Sequence, residues 1–130
     1  MPPPPTVLSL IVADGIHRDA HGLAYILGVF HTYYAVRFPK TIPQASVYLA
    51  LTDARGVVRL TLQLVDGEYE DEEPIVRSDI DVTFPGPLEV ATVSIDFKSL
   101  TFPAPGVYRW QLLCGGEVIA DQRFNVIQRG

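Results

Sequence analysis

A chain of 130 residues with 48% apolar and 19% charged positions is long enough for one domain with a sizeable core and too apolar to be disordered. Eleven prolines and ten glycines demand many turns, and a lone cysteine, Cys114, excludes an intramolecular disulfide and a thiolate zinc cluster. The net charge of −5 is local: Asp66, Glu68, Glu70, Asp71, Glu72 and Glu73 supply six of fifteen acids, leaving nine acids against ten bases, with no basic stripe of the kind nucleic acid requires.

The chain opens "MPPPPTV". Pro2 to Pro5 predict a proline-rich arm over residues 1–6, ahead of a single domain over residues 7–130. The opening has neither the basic n-region nor the apolar h-region of a secretory signal, and no apolar run approaches the roughly 20 residues that span a bilayer. A cytoplasmic protein without membrane partners is the expectation.

Helical periodicity is nearly absent, whereas period-2 alternation recurs between turn signals. "TVLSLIVADGIHR" and "LAYILGVFHTYYAVRF" predict two long strands, Thr6 to Arg18 and Leu23 to Arg37, the arms of one hairpin. Both are so uniformly apolar that they read as strands covered on both faces or central in the sheet. Gly28 within the second signals a bulge or a close backbone approach. "ASVYLALTD" turns Val47, Leu49 and Leu51 inward, "VVRLTLQLVD" does so with Val58, Leu60, Leu62 and Leu64, and "VSIDFKS" with Val93, Ile95 and Phe97. In "VYRWQLL" the inward set is Tyr108, Trp110 and Leu112; in "EVIADQRFNVI" it is Val118, Ala120, Phe124 and Val126, with Gln122 intruding.

The connections are equally legible. "DAHG" at 19–22 and "DARG" at 53–56 share an Asp at the first position and a Gly at the fourth, the pattern of a type I turn, and both are expected to close hairpins. "CGGE" at 114–117 predicts a two-glycine hairpin, and "FPGPL" and "TFPAPG" are proline-stiffened loops. Seven or eight strands in this space predict an all-β, antiparallel β-sandwich, immunoglobulin-like or C2-like.

Chemistry is sparse. His17, His21 and His31 lie close in sequence with Asp14 and Asp19 among them. In a hairpin closed at 19–22, His31 sits eight residues from Leu23, roughly 26 Å along the strand, so one ion cannot hold all three histidines. Only His17 with His21, aided by Asp14 or Asp19, survives as a metal set, and a surface hairpin tip explains the same residues more simply. His31 is expected as a half-buried strand residue. The acidic loop "DGEYEDEEP" lacks the pattern of an EF-hand, and Asp14, Asp53, Asp66 and Asp79 qualify for a C2-like calcium site by residue type alone. With no G-x-S-x-G elbow and no phosphate-cradling glycine loop, neither enzyme activity nor a cofactor is expected.

"FHTYYAVRF" concentrates Phe30, His31, Tyr33, Tyr34 and Phe38, and alternation sends Tyr33 and Tyr34 to opposite faces. One tyrosine belongs to the core; the other, beside Tyr48 or Tyr25, would offer a stacking surface to a sugar or a partner protein.

In chain order, "VADGIHRD", the "LAYILGVF" segment, "FP" before a paired strand, "LQLVDGE" and the closing "GVYRWQLLCGGEVIADQRFNV" resemble an uncharacterised bacterial family of small, single-domain proteins carrying a domain of unknown function. The resemblance spans residues 7 to 127 and implies a stand-alone antiparallel sandwich; it implies no catalytic residue, cofactor or partner. The expected function is a non-enzymatic binding module, for protein recognition or self-association through an edge strand or the exposed part of Phe30 to Phe38, with His31, Tyr33 and Tyr34 as its surface. The alternative is a small-ligand (sugar) or calcium domain using the loops at one end.

Overall fold

The computed structural model describes residues 3–68 and 73–130. Among the described residues nine strands follow in chain order: β1 (Thr6–Arg18), β2 (Ala24–Val29), β3 (Thr32–Ala35), β4 (Lys40–Thr52), β5 (Gly56–Asp66), β6 (Val76–Phe84), β7 (Ala91–Phe102), β8 (Gly106–Cys114) and β9 (Glu117–Gln128). They form two sheets, β2-β1-β4-β7 and β3-β9-β8-β5-β6. Every pairing is antiparallel except β3 with β9, which is parallel.

Alternation builds the core. Val47, Leu49 and Leu51 of β4 face Leu60, Leu62 and Leu64 of β5 across the sandwich, all 0–1% exposed, each contributing about 1.5–3 kcal/mol by leaving water. Phe102 meets both Tyr108 and Phe124 edge-on, at 4.9 and 5.6 Å between centroids, and Phe97 packs on Trp110 at 5.3 Å. The Trp110 indole N–H has no acceptor among the described residues, so volume rather than a hydrogen bond holds that ring. Tyr108, two residues into β8, donates its hydroxyl to the Ala104 carbonyl at 2.6 Å and pins the proline loop before the strand, the geometry of a tyrosine corner.

Three sequence expectations fail, each for a physical reason. First, residues 23–37 are not one strand. The chain leaves β2, crosses at Phe30 and His31, and enters the other sheet as β3 parallel to β9, which is why nine strands replace seven or eight and one pair is parallel. Gly28 starts the departure: its φ is +72°, and a Cβ there would stand 3.0 Å from that of Asp14. Second, "LAYILGVF" is an exposed edge rather than a core strand, because among the described residues β2 pairs with β1 alone. Third, "DARG" closes no hairpin but carries the chain from one sheet to the other, since Leu51 and Leu60 must both point inward from opposite layers. There Asp53 itself takes φ +64°, and its N–H donates to Pro87. A smaller slip concerns Val118, which is exposed because a register shift at Leu112/Leu113 changes the phase of β9. At the opening, Pro5 is already buried, so the arm is packed at its inner end.

The β1–β2 hairpin does not continue straight on. Pairing with β4 stops at Ala13, and the Arg18 guanidinium donates to Thr92 and Ser94 at 3.1 and 3.3 Å. Thr92 pairs with Ala50, which pairs with Ser9, so Arg18 reaches the level of a residue nine positions before it. A straight strand would separate the two by about 30 Å, so β1 must double back. Ala13, Ser46 and Ala50 sit on outward-facing positions yet are buried, as expected beneath a hairpin folded across the outer face of the sheet.

Candidate functional site

The folded-back hairpin has two faces. Ile16, Ile26 and Arg18 turn toward the sheet, while Leu23, Tyr25, Leu27 and Val29 turn to solvent and are 59, 48, 58 and 51% exposed. Single exposed apolar side chains are ordinary; four in one stripe on an unpaired edge are not. His17 pairs with Tyr25 across the hairpin, ring centroids 6.2 Å apart, and borders the stripe. No charged residue occurs from Leu23 to Phe30.

The tip is turn chemistry. Gly22 donates to the Asp19 carbonyl, and one Asp19 carboxylate oxygen accepts the N–H groups of His21 and Leu23 at 2.9 and 3.0 Å while the other accepts the Tyr25 hydroxyl at 3.2 Å. The Leu23 N–H is the main cause that holds the Asp19 carboxyl below its ordinary value, with smaller help from His21 and Tyr25. Both oxygens of Asp19 are thus committed to the turn, and no group of three or more metal-ligating side chains occurs among the described residues. Asp14, His17, Asp19 and His21 therefore divide between a cleft, a ring pair and a turn.

The calcium candidates scatter as well. Asp53 accepts the Thr6 hydroxyl at the corner between β4 and β5, Asp66 accepts the Glu68 N–H at the far end of β5, and Asp79 accepts the Thr61 hydroxyl in the middle of β6. Residues 69–72 of the acidic loop lie outside the described residues.

Where the chain crosses from β2 to β3, an open cleft of about 520 Å³ forms between the two edges. Phe30, Tyr33 and Ile42 make its apolar wall, and Asp14, Thr32 and Gln44 its polar one. Gln44 is fixed from both ends: its amide N–H donates to the Asp14 carbonyl at 3.2 Å, and its oxygen accepts from Lys98 at 2.7 Å. Phe30 meets Phe124 edge-on at 5.5 Å and seals the core behind the cleft. Tyr33 is half-buried against the core and Tyr34 is 47% exposed beneath Arg129, 4.1 Å from its ring centroid. His31 is exposed at the crossing rather than half-buried within a strand, because no strand passes through it; its carbonyl accepts the Asn125 N–H. Tyr25, Tyr34 and Tyr48 lie on three different strands in two sheets and build no shared platform. Sequence reading missed Ile42, Gln44 and Lys98, which join this region only through β4 and β7; the signal available was Gly28.

In strand order, β1-β4-β7 opposite β9-β8-β5-β6 takes the A-B-E and G-F-C-C′ arrangement of an immunoglobulin-type sandwich, and the Tyr108 corner agrees. The chain belongs to a family of unknown function, DUF6941, whose model matches residues 8–127. No curated protein sequence matches it. Among solved structures it is similar to an immunoglobulin-like protein (PA1606) from Pseudomonas aeruginosa, with 14% identity over 96% of this chain and 98% of that one, TM-score 0.49. A β-glucosidase from Listeria innocua is also similar, at 11% identity over 96% of this chain and 16% of that one, TM-score 0.46.

Proposed function

We propose that this protein is a non-enzymatic binding module of the bacterial cytoplasm that engages a protein through the edge and outer face of β2. The observation that carries the reading is the stripe Leu23, Tyr25, Leu27 and Val29, half-exposed along β2 and the residue before it, where the second strand edge pairs with no other described residue and no side chain is charged. An unprotected edge offers a row of backbone donors and acceptors, and side chains on one face give specificity, the two components of strand addition. Leu88, more exposed still, sits in the loop between β6 and β7, where no strand edge is available to pair. A photo-crosslinking residue placed at Leu27, with Thr83 of β6 as the control, tests the reading in the native cell. A protein captured at Leu27 and not at Thr83, identified by mass spectrometry, is the expected result; equal capture at both sites, or none, removes it.

The cleft favours a second reading, a small polar ligand such as a saccharide unit, because an aromatic wall faces a carboxylate and a fixed amide. A thermal-shift panel of sugars decides it: a ligand at 100 times its dissociation constant stabilises by about 2.7 kcal/mol, and a flat panel counts against this reading. Calcium belongs in the same panel, although the described aspartates do not converge.

A further inference from the structure

We infer that the occupant of the β2 edge is the β2 edge of a second copy of this chain, paired antiparallel about a two-fold axis through Ile26. This rests on the strand-addition reading above and adds its partner and register.

The stripe is self-complementary. With Ile26 opposite its own copy, Tyr25 falls opposite Leu27, Leu23 opposite Val29, and Ala24 opposite Gly28. Each large apolar side chain then meets another on the same face, and the small residues meet on the reverse face. Directly opposed side chains on one face approach to about 4.5–5.5 Å, which is contact distance for Tyr against Leu. A shift of one residue would turn the stripes to opposite faces, and a shift of two would set Leu23 opposite His31 or Val29 opposite His21, so the register on Ile26 alone matches all four large apolar side chains with one another.

Charge permits the same pairing. A chain of net charge −5 would meet its copy over a strip without one charged side chain, so no like charges come together. The nearest flanking charges are Arg18, opposite Ala24 within the hairpin, and Asp14, beside Gly28. The two-fold axis puts Arg18 of one copy in the row of Asp14 of the other, about 14 Å away across three strand spacings. At that distance salt screens most of the attraction, so the charges allow the register rather than drive it. The contact is small, one six-residue strand and four half-exposed side chains from each copy. It therefore belongs with interfaces under about 1,200 Å², and the dimer dissociates on dilution.

Sedimentation equilibrium over two decades of concentration tests this with the full chain. The expected mass rises from 14.4 kDa toward twice that value, and Leu27→Glu stays at 14.4 kDa with an unchanged melting temperature. In a Cys114→Ser background, Ile26→Cys forms a disulfide-linked dimer on mild oxidation and Thr83→Cys does not. Ile26 points away from the stripe, so a dimer lost in Leu27→Glu but never linked through residue 26 means face-to-face packing and overturns the pairing. A wild-type chain that stays monomeric throughout also overturns it. The in-cell crosslink at Leu27 separates the two failures: capture of another protein by a monomeric chain ends the self-pairing and leaves the binding module standing, whereas no capture ends both.

Discussion

The sandwich has four strand edges, and they are treated in opposite ways. At one side β6 and β7 meet, and both are polar: Arg77, Asp79 and Asp81 alternate along β6, Ser94, Asp96 and Lys98 along β7, and Ser99 within β7 departs from extended backbone with φ +57°. Asp81 is tied to Arg59 of β5 through two hydrogen bonds, and Asp79 to Thr61. Charges and irregular backbone are the usual devices that keep an edge from pairing with another chain. On the other side β2 and β3 follow one another with no charged residue in either strand. Neither side holds the core together, which lies between them, so the contrast bears on the proposed interaction rather than on the stability of the sandwich.

The largest expected effect breaks the open side at its backbone. Gly28→Val demands a positive φ from a β-branched residue and drives a Cβ against Asp14, so it should cost about 1–3 kcal/mol in chemical denaturation. Gly15→Ala, one residue beyond Asp14 with open space around it, should cost less than about 0.5 kcal/mol. If both cost the same, Gly28 does not set the departure of β2. A comparable loss is expected at the corner that fixes the opposite end of the frame. Tyr108→Phe removes one buried hydrogen bond and should cost about 0.5–1.5 kcal/mol. Burial is the main force that pushes the Tyr108 hydroxyl above its ordinary value, so its stabilisation is complete below pH 10.0 and is lost as pH rises beyond it; Tyr108→Phe should flatten that alkaline slope.

The contrast can also be inverted. Asp79→Val with Asp81→Val strips β6 of its carboxylates and should create concentration-dependent association where there was none, read by light scattering in a Leu27→Glu background. A double variant that stays monodisperse would mean that charge is not what keeps this edge single. The smallest effect compares the two sides by pH. Hydrogen bonding from the Leu23 N–H lowers the Asp19 carboxyl on the open side, and hydrogen bonding from Arg59 lowers Asp81 on the charged side. A carboxyl lowered in the folded state stabilises it above the unfolded value, 3.8, and that stabilisation disappears as pH falls through the lower folded value. Asp19→Asn and Asp81→Asn should each reduce slightly the drop in melting temperature between pH 5 and pH 2. No change in either would make both contacts energetically silent.

How far the sequence could be read follows from the range of each signal. Alternation is local, so β4, β5 and β8 could be assigned with their inward residues, and "CGGE" announced its hairpin through two glycines that take φ +58° and +82°. The Asp19 turn was equally legible, because its carboxylate bonds only to atoms within six residues. "DARG" copied that signature and misled, since an Asp-to-Gly turn fixes a local reversal but not which sheet receives the next strand. The uniformly apolar "LAYILGVF" misled more deeply. Hydrophobicity reports what a strand would bury and cannot say whether the burial happens within one chain or against another. Of the cleft, Asp14, Tyr33 and Tyr34 drew notice by residue type, whereas Ile42, Gln44 and Lys98 arrive from strands far along the chain.

The sequence by itself determined that this protein is a two-layer β-sandwich, which strands make its core and where its tight turns fall, because period-2 burial and turn stereochemistry act over a few residues. Only the tertiary structure decided that the first hairpin folds back over its own sheet, that the chain changes layers at Phe30 and His31, and that one side is left apolar and open. Those outcomes depend on how the layers compete for the same apolar residues, and that competition is settled by contacts between positions far apart in the chain, such as Arg18 with Ser94 and Thr32 with Asn125.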